Sequence, residues 1–229
     1  DKHVTGVQTC ALPIYGGQSS ACGNGTRCIA YLISKEKKEE EITFKTQSGI
    51  LKSKILENNI VETNIGTPKF GWKEIPLSKE IDNTNLGITI SDQDGINFTG
   101  GYALSVGNPH LIFFVNKTEN YDLPKIGPAL EKHSMFPEKC NVTLAEIKNR
   151  KLIKVKVWER GVGITKACGT AACATAVAAF KKKLTEDMVD IQFELGVKTV
   201  TIDNNNSIHM KGKVDRKSTR LNSSHVLNS

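Results

Sequence analysis

Two short strings in the chain place a cysteine where a glycine-containing turn enters a helical segment: Ala21 to Cys28 (ACGNGTRC) and Ala167 to Ala174 (ACGTAACA). A thiol at a helix amino terminus faces unpaired backbone N–H groups and the positive end of the dipole, which lowers its pKa from about 8.5 and makes the thiolate a usable base. The same N–H groups bind an anion such as a carboxylate. The small residues beside each sulfur, Gly23-Asn24-Gly25 and Gly169-Thr170-Ala171, let a ligand approach the backbone closely. Two such helix starts facing each other would put one thiol on each side of a carbon whose carboxylate they share. That arrangement suits removal of a proton from one face and delivery to the other, with inversion. The approximate echo of Ala-Cys-Gly points to a duplicated domain.

Other readings of the six cysteines stand beside this one. Cys168 and Cys173 lie at the outer limit of the spacing of a zinc ligand pair, and Cys22 and Cys28 exceed it, so no metal is expected. Cys28, Cys140 and Cys173 sit inside apolar segments, where a free cysteine packs as a small hydrophobe. Further polar landmarks fall at turns. Gly107-Asn108-Pro109-His110 interrupts two apolar strands, Asn141 opens one, and Glu159-Arg160-Gly161 ends another just before the turn into Cys168. An Arg beside a Glu can hold the carboxylate and ammonium of a zwitterion through charge-assisted hydrogen bonds. The plainer alternatives are that Asn108 makes the turn before Pro109 and that Glu159 and Arg160 are solvated charges.

The elements that must position these residues alternate between the two periodicities. A helix from Cys22 to about Lys35 is followed by strands at Ile42 to Thr46, Ile50 to Leu56 and Ile60 to Ile65, with turn signals between them at Ser48-Gly49 and Asn58-Asn59. Gly66 to Pro76 has the Gly and Pro density of a linker. Strands are then expected at Ile88 to Ile90, Tyr102 to Val106, Leu111 to Val115, Val142 to Ile147 and Leu152 to Trp158, with a helix around Ile126 to His133. The helix after Cys168 is the strongest, and strands at Val189 to Leu195, Lys198 to Ile202 and Ser207 to Met210 follow it. The whole reads as mixed α/β.

Composition excludes several classes. With 38% hydrophobic, 24% charged and 6% aromatic residues this is a soluble globular balance, and no apolar run approaches the roughly 20 residues that cross a bilayer. The net charge is +7, but lysines interleave with glutamates in Lys35 to Glu41 (KEKKEEE), and Lys181 to Lys183 follow a helix, where cations complement the dipole; no nucleic-acid partner is implied. Asp1 to Tyr15 lacks the form of a signal peptide, so a reducing cytoplasm is the expected compartment and structural disulfides are not expected. Gly6 to Ile14 (GVQTCALPI) and Arg216 to His225 (RKSTRLNSSH) resemble translated sequencing adapters, so residues 1–15 and 215–229 are expected to be foreign. A partial amino-terminal domain at 16–66, a linker at 67–80 and a carboxyl-terminal domain at 81–214 are expected between them.

Together ACGNGTRC at Ala21 to Cys28, GNPH at Gly107 to His110 and WERGVGITKACGTAACA at Trp158 to Ala174 resemble the diaminopimelate epimerase family over about Gly16 to Val214. The resemblance implies two pseudo-symmetric α/β domains, each a curled mixed sheet around a central helix. It also implies cofactor-independent inversion of one α-carbon of LL-2,6-diaminopimelate to the meso isomer, in lysine and peptidoglycan biosynthesis. On that basis Cys22 and Cys168 are the thiol pair, and Gly23, Asn24, Gly169 and Thr170 bind the reacting carboxylate. Asn108, Asn141 and Arg160 bind the distal carboxylate and Glu159 the distal ammonium, while His110 lies near the cleft without being a required proton carrier. Family positions for an Asn and an Asp ahead of the first cysteine fall on Pro13 and Tyr15, and the family's amino-terminal strands and closing strand are absent, so the first domain is expected to be incomplete and the literal chain poorly soluble or inactive. The nearest rival is a proline or hydroxyproline racemase-like enzyme, disfavoured by Glu159-Arg160 and the asparagines. A phenazine-biosynthesis-like isomerase is disfavoured because both cysteines are present. A non-catalytic ligand- or zinc-binding module is the alternative from a different class, and a homodimer is left open.

Overall fold

Arg27, Ala30 and Ser34 are the buried positions of the first helix, and their spacing of three and four residues sets one helical face inward. The computed structural model describes residues 23–46 and 49–214, which divide into two compact units: one holds the residues up to Gly66 together with His209 onward, the other Thr67–Ile208. In the first unit, α1 (Gly23–Lys37) ends in Lys35 and Lys37, cations that favour a helix carboxyl terminus. Strands β1 (Glu41–Thr46), β2 (Gly49–Ile55) and β3 (Ile60–Gly66) form an antiparallel meander, and the last strand among the described residues, Ile208–Lys213, lies beside β3. Ile42 and Phe44 of β1 and Val61 of β3 close over Ala30 and Val214 to make this unit's core.

The second unit carries the longer sheet. Its elements are β4 (Ile88–Ser91), β5 (Asn97–Gly100), β6 (Tyr102–Ser105), β7 (Pro109–Phe114), α2 (Leu123–Glu131), β8 (Asn141–Asn149), β9 (Leu152–Glu159), β10 (Gly163–Thr165), α3 (Gly169–Lys181), β11 (Met188–Phe193) and β12 (Gly196–Ile202). The sheet order is β6-β7-β8-β9-β11-β12, with β7 and β8 parallel, β9 and β11 parallel, and the other neighbours antiparallel. β10 folds back on β9, and β4 and β5 form a separate hairpin.

Burial follows from position in this sheet. Asn141 to Glu146 of β8 are buried in unbroken succession, as in a strand covered on both faces, whereas β9 alternates, turning Ile153, Val155 and Val157 inward and Lys154 and Lys156 outward. α3 is buried at every residue from Thr170 to Ala179. Alanine is the best helix former, and its small side chain lets strands approach from all sides. The helix touches β6, β7, β8, β11 and β12, so the sheet of this unit wraps around it.

The mixed α/β reading therefore holds, with local differences. α2 starts at Leu123 rather than Ile126, because the Asp122 side chain accepts a hydrogen bond from the Lys125 N–H and Pro124 suits a first turn. β5 and β10 were not anticipated: each is short, and each exists through its antiparallel partner. Residues 67–80 pack with the second unit, where Lys69 bridges Ser105 and Ile75 and Leu77 are buried.

Candidate active site

β9 delivers Glu159 to its end, the chain turns with the Val162 N–H bonded to the Glu159 carbonyl, and β10 returns along β9 with Ile164 opposite Trp158. This hairpin leads directly into Cys168, which caps α3 with extended backbone at φ −138° and ψ 121°. The Glu159 carboxylate is a near neighbour of the Cys168 thiol, and each group affects the titration of the other. The thiol also lies 3.5 Å from the Thr170 hydroxyl.

A polar chain extends from there. Asn108 Nδ2 donates to Thr170 Oγ1 at 3.4 Å, and Asn108 Oδ1 lies 3.0 Å from His110 Nε2. An amide oxygen only accepts, so the imidazole proton resides on Nε2. His110 is fully buried; burial first, and the Arg160 charge second, push its pKa down to about 3, so the ring is neutral. In the parallel pairing of β7 with β8, His110 sits opposite Asn141. Asn141 Nδ2 donates to the Pro109 carbonyl at 3.2 Å and its Oδ1 accepts the Arg160 backbone N–H at 2.9 Å. One buried amide thus ties the Gly107–His110 turn to the start of the Arg160 turn.

The electrostatics of the thiol differ from the expectation drawn from its helix position. Burial, then the adjacent Glu159 charge, push the Cys168 pKa up to about 11. The Thr170 hydroxyl and the backbone N–H groups of Ala171 and Thr170 pull in the opposite sense and do not prevail. Burial also raises the Glu159 pKa, against the lowering effect of the neighbouring Cys168 thiol. Burial and the Glu159 charge thus both favour the thiol form of Cys168 over the thiolate.

The second unit therefore gathers Cys168, Gly169, Thr170, Asn108, Glu159, Arg160 and Asn141 around one end of α3. Arg160 keeps its side chain half-exposed and spends one N–H on the Glu138 carbonyl at 2.8 Å. Cys22 lies outside the described residues, as do Cys10 and the adapter-like ends; Gly23 and Asn24 contribute the backbone of the first turn of α1. Sequence reasoning gave Glu159 only a distal ammonium, and its contact with the thiol arises from the β9–β10 hairpin, which the sequence did not announce. Cys140 and Cys173 are buried, and neither is in a disulfide.

Known structures share this fold. A hydroxyproline epimerase from Agrobacterium vitis matches with a TM-score of 0.58 at 12% identity, covering 85% of this chain and 64% of that one. A phenazine biosynthesis protein from Bacillus anthracis matches at 0.56 and 17%, covering 86% of this chain and 74% of that one. The fold is thus one used by epimerases and racemases. The family model for diaminopimelate epimerase matches residues 102–217. A diaminopimelate epimerase of Pelagibacter ubique (strain HTCC1062) is 62% identical over 199 residues, 87% of this chain and 73% of that protein. One from Rhodopseudomonas palustris (strain BisB18) is 43% identical over 186 residues, 80% of this chain and 65% of that protein. The chain belongs to the diaminopimelate epimerase family, a family of isomerases, and spans about two thirds to three quarters of the length of these relatives.

Proposed function

We propose that the chain inverts one α-carbon of LL-2,6-diaminopimelate to give the meso isomer, without a cofactor, using Cys168 and Cys22 as the thiol pair. The observation that carries this reading is the Cys168 thiol at the residue that caps α3, buried and 3.5 Å from the Thr170 hydroxyl, with Glu159 as its acidic neighbour. Inversion needs one thiol to give a proton while the other takes one. Cys168 is the donor in the direction that starts from this state, and Cys22 is the thiolate base. After donation Cys168 is a thiolate and Cys22 a thiol, the pair of states from which the reverse direction runs. Loss of the Cys22 proton to solvent and uptake of one by Cys168 restore the starting state.

The backbone N–H groups of Gly169 and Thr170, first in α3, receive the reacting carboxylate, and Gly23 and Asn24 do so from α1. Arg160 and Asn108 serve the distal carboxylate, with Asn141 holding the Arg160 backbone. Selectivity comes from this fixed donor set, because a misplaced zwitterion leaves buried partners unpaired. Cys28, Cys140, Cys168 and Cys173 are in no disulfide, which suits a reducing cytoplasm, and no helix among the described residues is long and apolar enough to cross a membrane. The test is epimerisation of LL-diaminopimelate in deuterated water by an intact homologue and by its variant with Ser in place of the cysteine that corresponds to Cys168. The wild type incorporates solvent deuterium at the α-carbon and the variant does not racemise; unchanged turnover in the variant overturns the assignment.

A further inference from the structure

Glu131, the last residue of α2, is a buried carboxylate at 6% exposure to which the site described above gives no task. Its Oε2 accepts the Trp158 indole N–H at 2.7 Å, and its Oε1 accepts the Gly161 backbone N–H at 3.2 Å. Those two donors stand immediately before Glu159 and immediately after Arg160. One side chain therefore grips both ends of the dipeptide that meets the thiol and offers the guanidinium.

The surroundings fit a clamp. Gly161 has φ +75°, a left-handed conformation that glycine adopts without a Cβ clash, and its N–H is the one that Glu131 accepts. The Trp158 ring lies flat on α2 at Gly127, where a Cβ would stand 2.6 Å from Cδ2, and residues 127 and 131 share a helix face. Lys139 Nζ, 4.0 Å away, is the cation in ion-pair reach of the carboxylate. An ionised carboxylate only accepts, so both donors must point at it. A buried charge is a costly way to fill space, and what it adds over an apolar residue is that fixed geometry.

We propose that Glu131 is a positioning residue for the reaction, holding Glu159 against Cys168 and Arg160 toward the substrate by fastening Trp158 and Gly161. This rests on the reading of Glu159 and Arg160 as site residues. Glu131→Gln keeps the shape but turns one acceptor into a donor facing a donor. In an intact homologue that shares these residues it is compared with wild type in three measurements: kcat and KM for diaminopimelate, the pH profile of alkylation by iodoacetamide of the cysteine that corresponds to Cys168, and the unfolding midpoint. The expected result is a loss of kcat/KM on the order of tenfold to a hundredfold, as for a lost charge-assisted hydrogen bond. The alkylation profile moves to lower pH, as it does when Glu159 itself is neutralised.

A purely structural role would lower the unfolding midpoint while leaving KM and the alkylation profile in place, and that result overturns the proposal. Wild-type kinetics and profile overturn it as well. Glu159→Gln and Arg160→Ala are run alongside. If those two leave kcat/KM unchanged, the site reading has failed. If they are impaired and Glu131→Gln is not, only the positioning role has failed. Should Glu131→Gln not fold, Trp158→Phe, which removes one donor and leaves the charge at Gly161, carries the same comparison.

Discussion

Acidification should destabilise the second unit through His110 before most carboxylates titrate. The ring is fully buried and its pKa is pushed from 6.5 down to about 3, so the native state holds the neutral form. The unfolded chain takes up a proton near pH 6.5 and the native chain does not. The stabilisation is therefore fully present above pH 6.5 and is lost as pH falls toward 3, at about 1.4 kcal/mol per pH unit. The loss is roughly 2 kcal/mol by pH 5 and about 4 kcal/mol by pH 3. His110→Gln isolates it, because a glutamine amide can still donate to Asn108 Oδ1 but does not titrate. The protein has two tryptophans, Trp72 and Trp158, both in the second unit, so fluorescence-detected urea unfolding follows this unit by itself. Measured from pH 7.5 to 4.5, the wild-type stability should decline relative to the variant with the slope given above. Parallel curves for the two proteins, or a His110 ring resonance titrating near pH 6, would refute the reasoning.

Two further expectations follow from contacts at the site and behind it. Glu159→Gln removes the negative charge beside Cys168, so alkylation of that thiol should begin at lower pH than in the wild type; mass-spectrometric labelling across pH checks this, and an unmoved profile removes Glu159 as a cause of the shift. Gly127→Ala should destabilise by about 1–3 kcal/mol through overpacking against the Trp158 ring, outweighing the roughly 1 kcal/mol that alanine gains in a helix interior. The sign is the test: chemical denaturation showing a more stable variant would mean the ring is not seated as described.

What the sequence made legible was local. The alternation of Ile153, Val155 and Val157 with lysines fixes the buried face of β9, and the alanine run after Cys168 yields a helix buried all round. The Gly-Asn-Pro-His string is visible as a turn, and the structure adds that its Asn108 amide links Thr170 to His110. Glu131 escaped notice because Ala129 to His133 (ALEKH) reads as a charged helix end; its burial depends on Trp158 and Gly161, about 30 residues away, as their 27- and 30-residue separations show. β10 escaped for a similar reason, since three residues carry no periodicity and only pairing with β9 makes them a strand.

The thiol itself shows which of two opposing effects governs. A helix start stabilises a thiolate by about 0.3–1 kcal/mol, up to about 2 kcal/mol in partly buried geometry. A rise from 9.0 to about 11 corresponds to roughly 2.7 kcal/mol against the thiolate, the net of burial and the Glu159 charge after the dipole has acted. Burial and the neighbouring carboxylate win. That outcome serves a two-thiol reaction better than a pair of thiolates would, because a pair that are both ionised can take a proton but cannot give one. Placing a carboxylate on the buried sulfur biases Cys168 toward the acid form, and protonation of that same carboxylate removes the bias. The Glu159 charge at the end of β9 thus adds to burial in favouring the thiol form of Cys168.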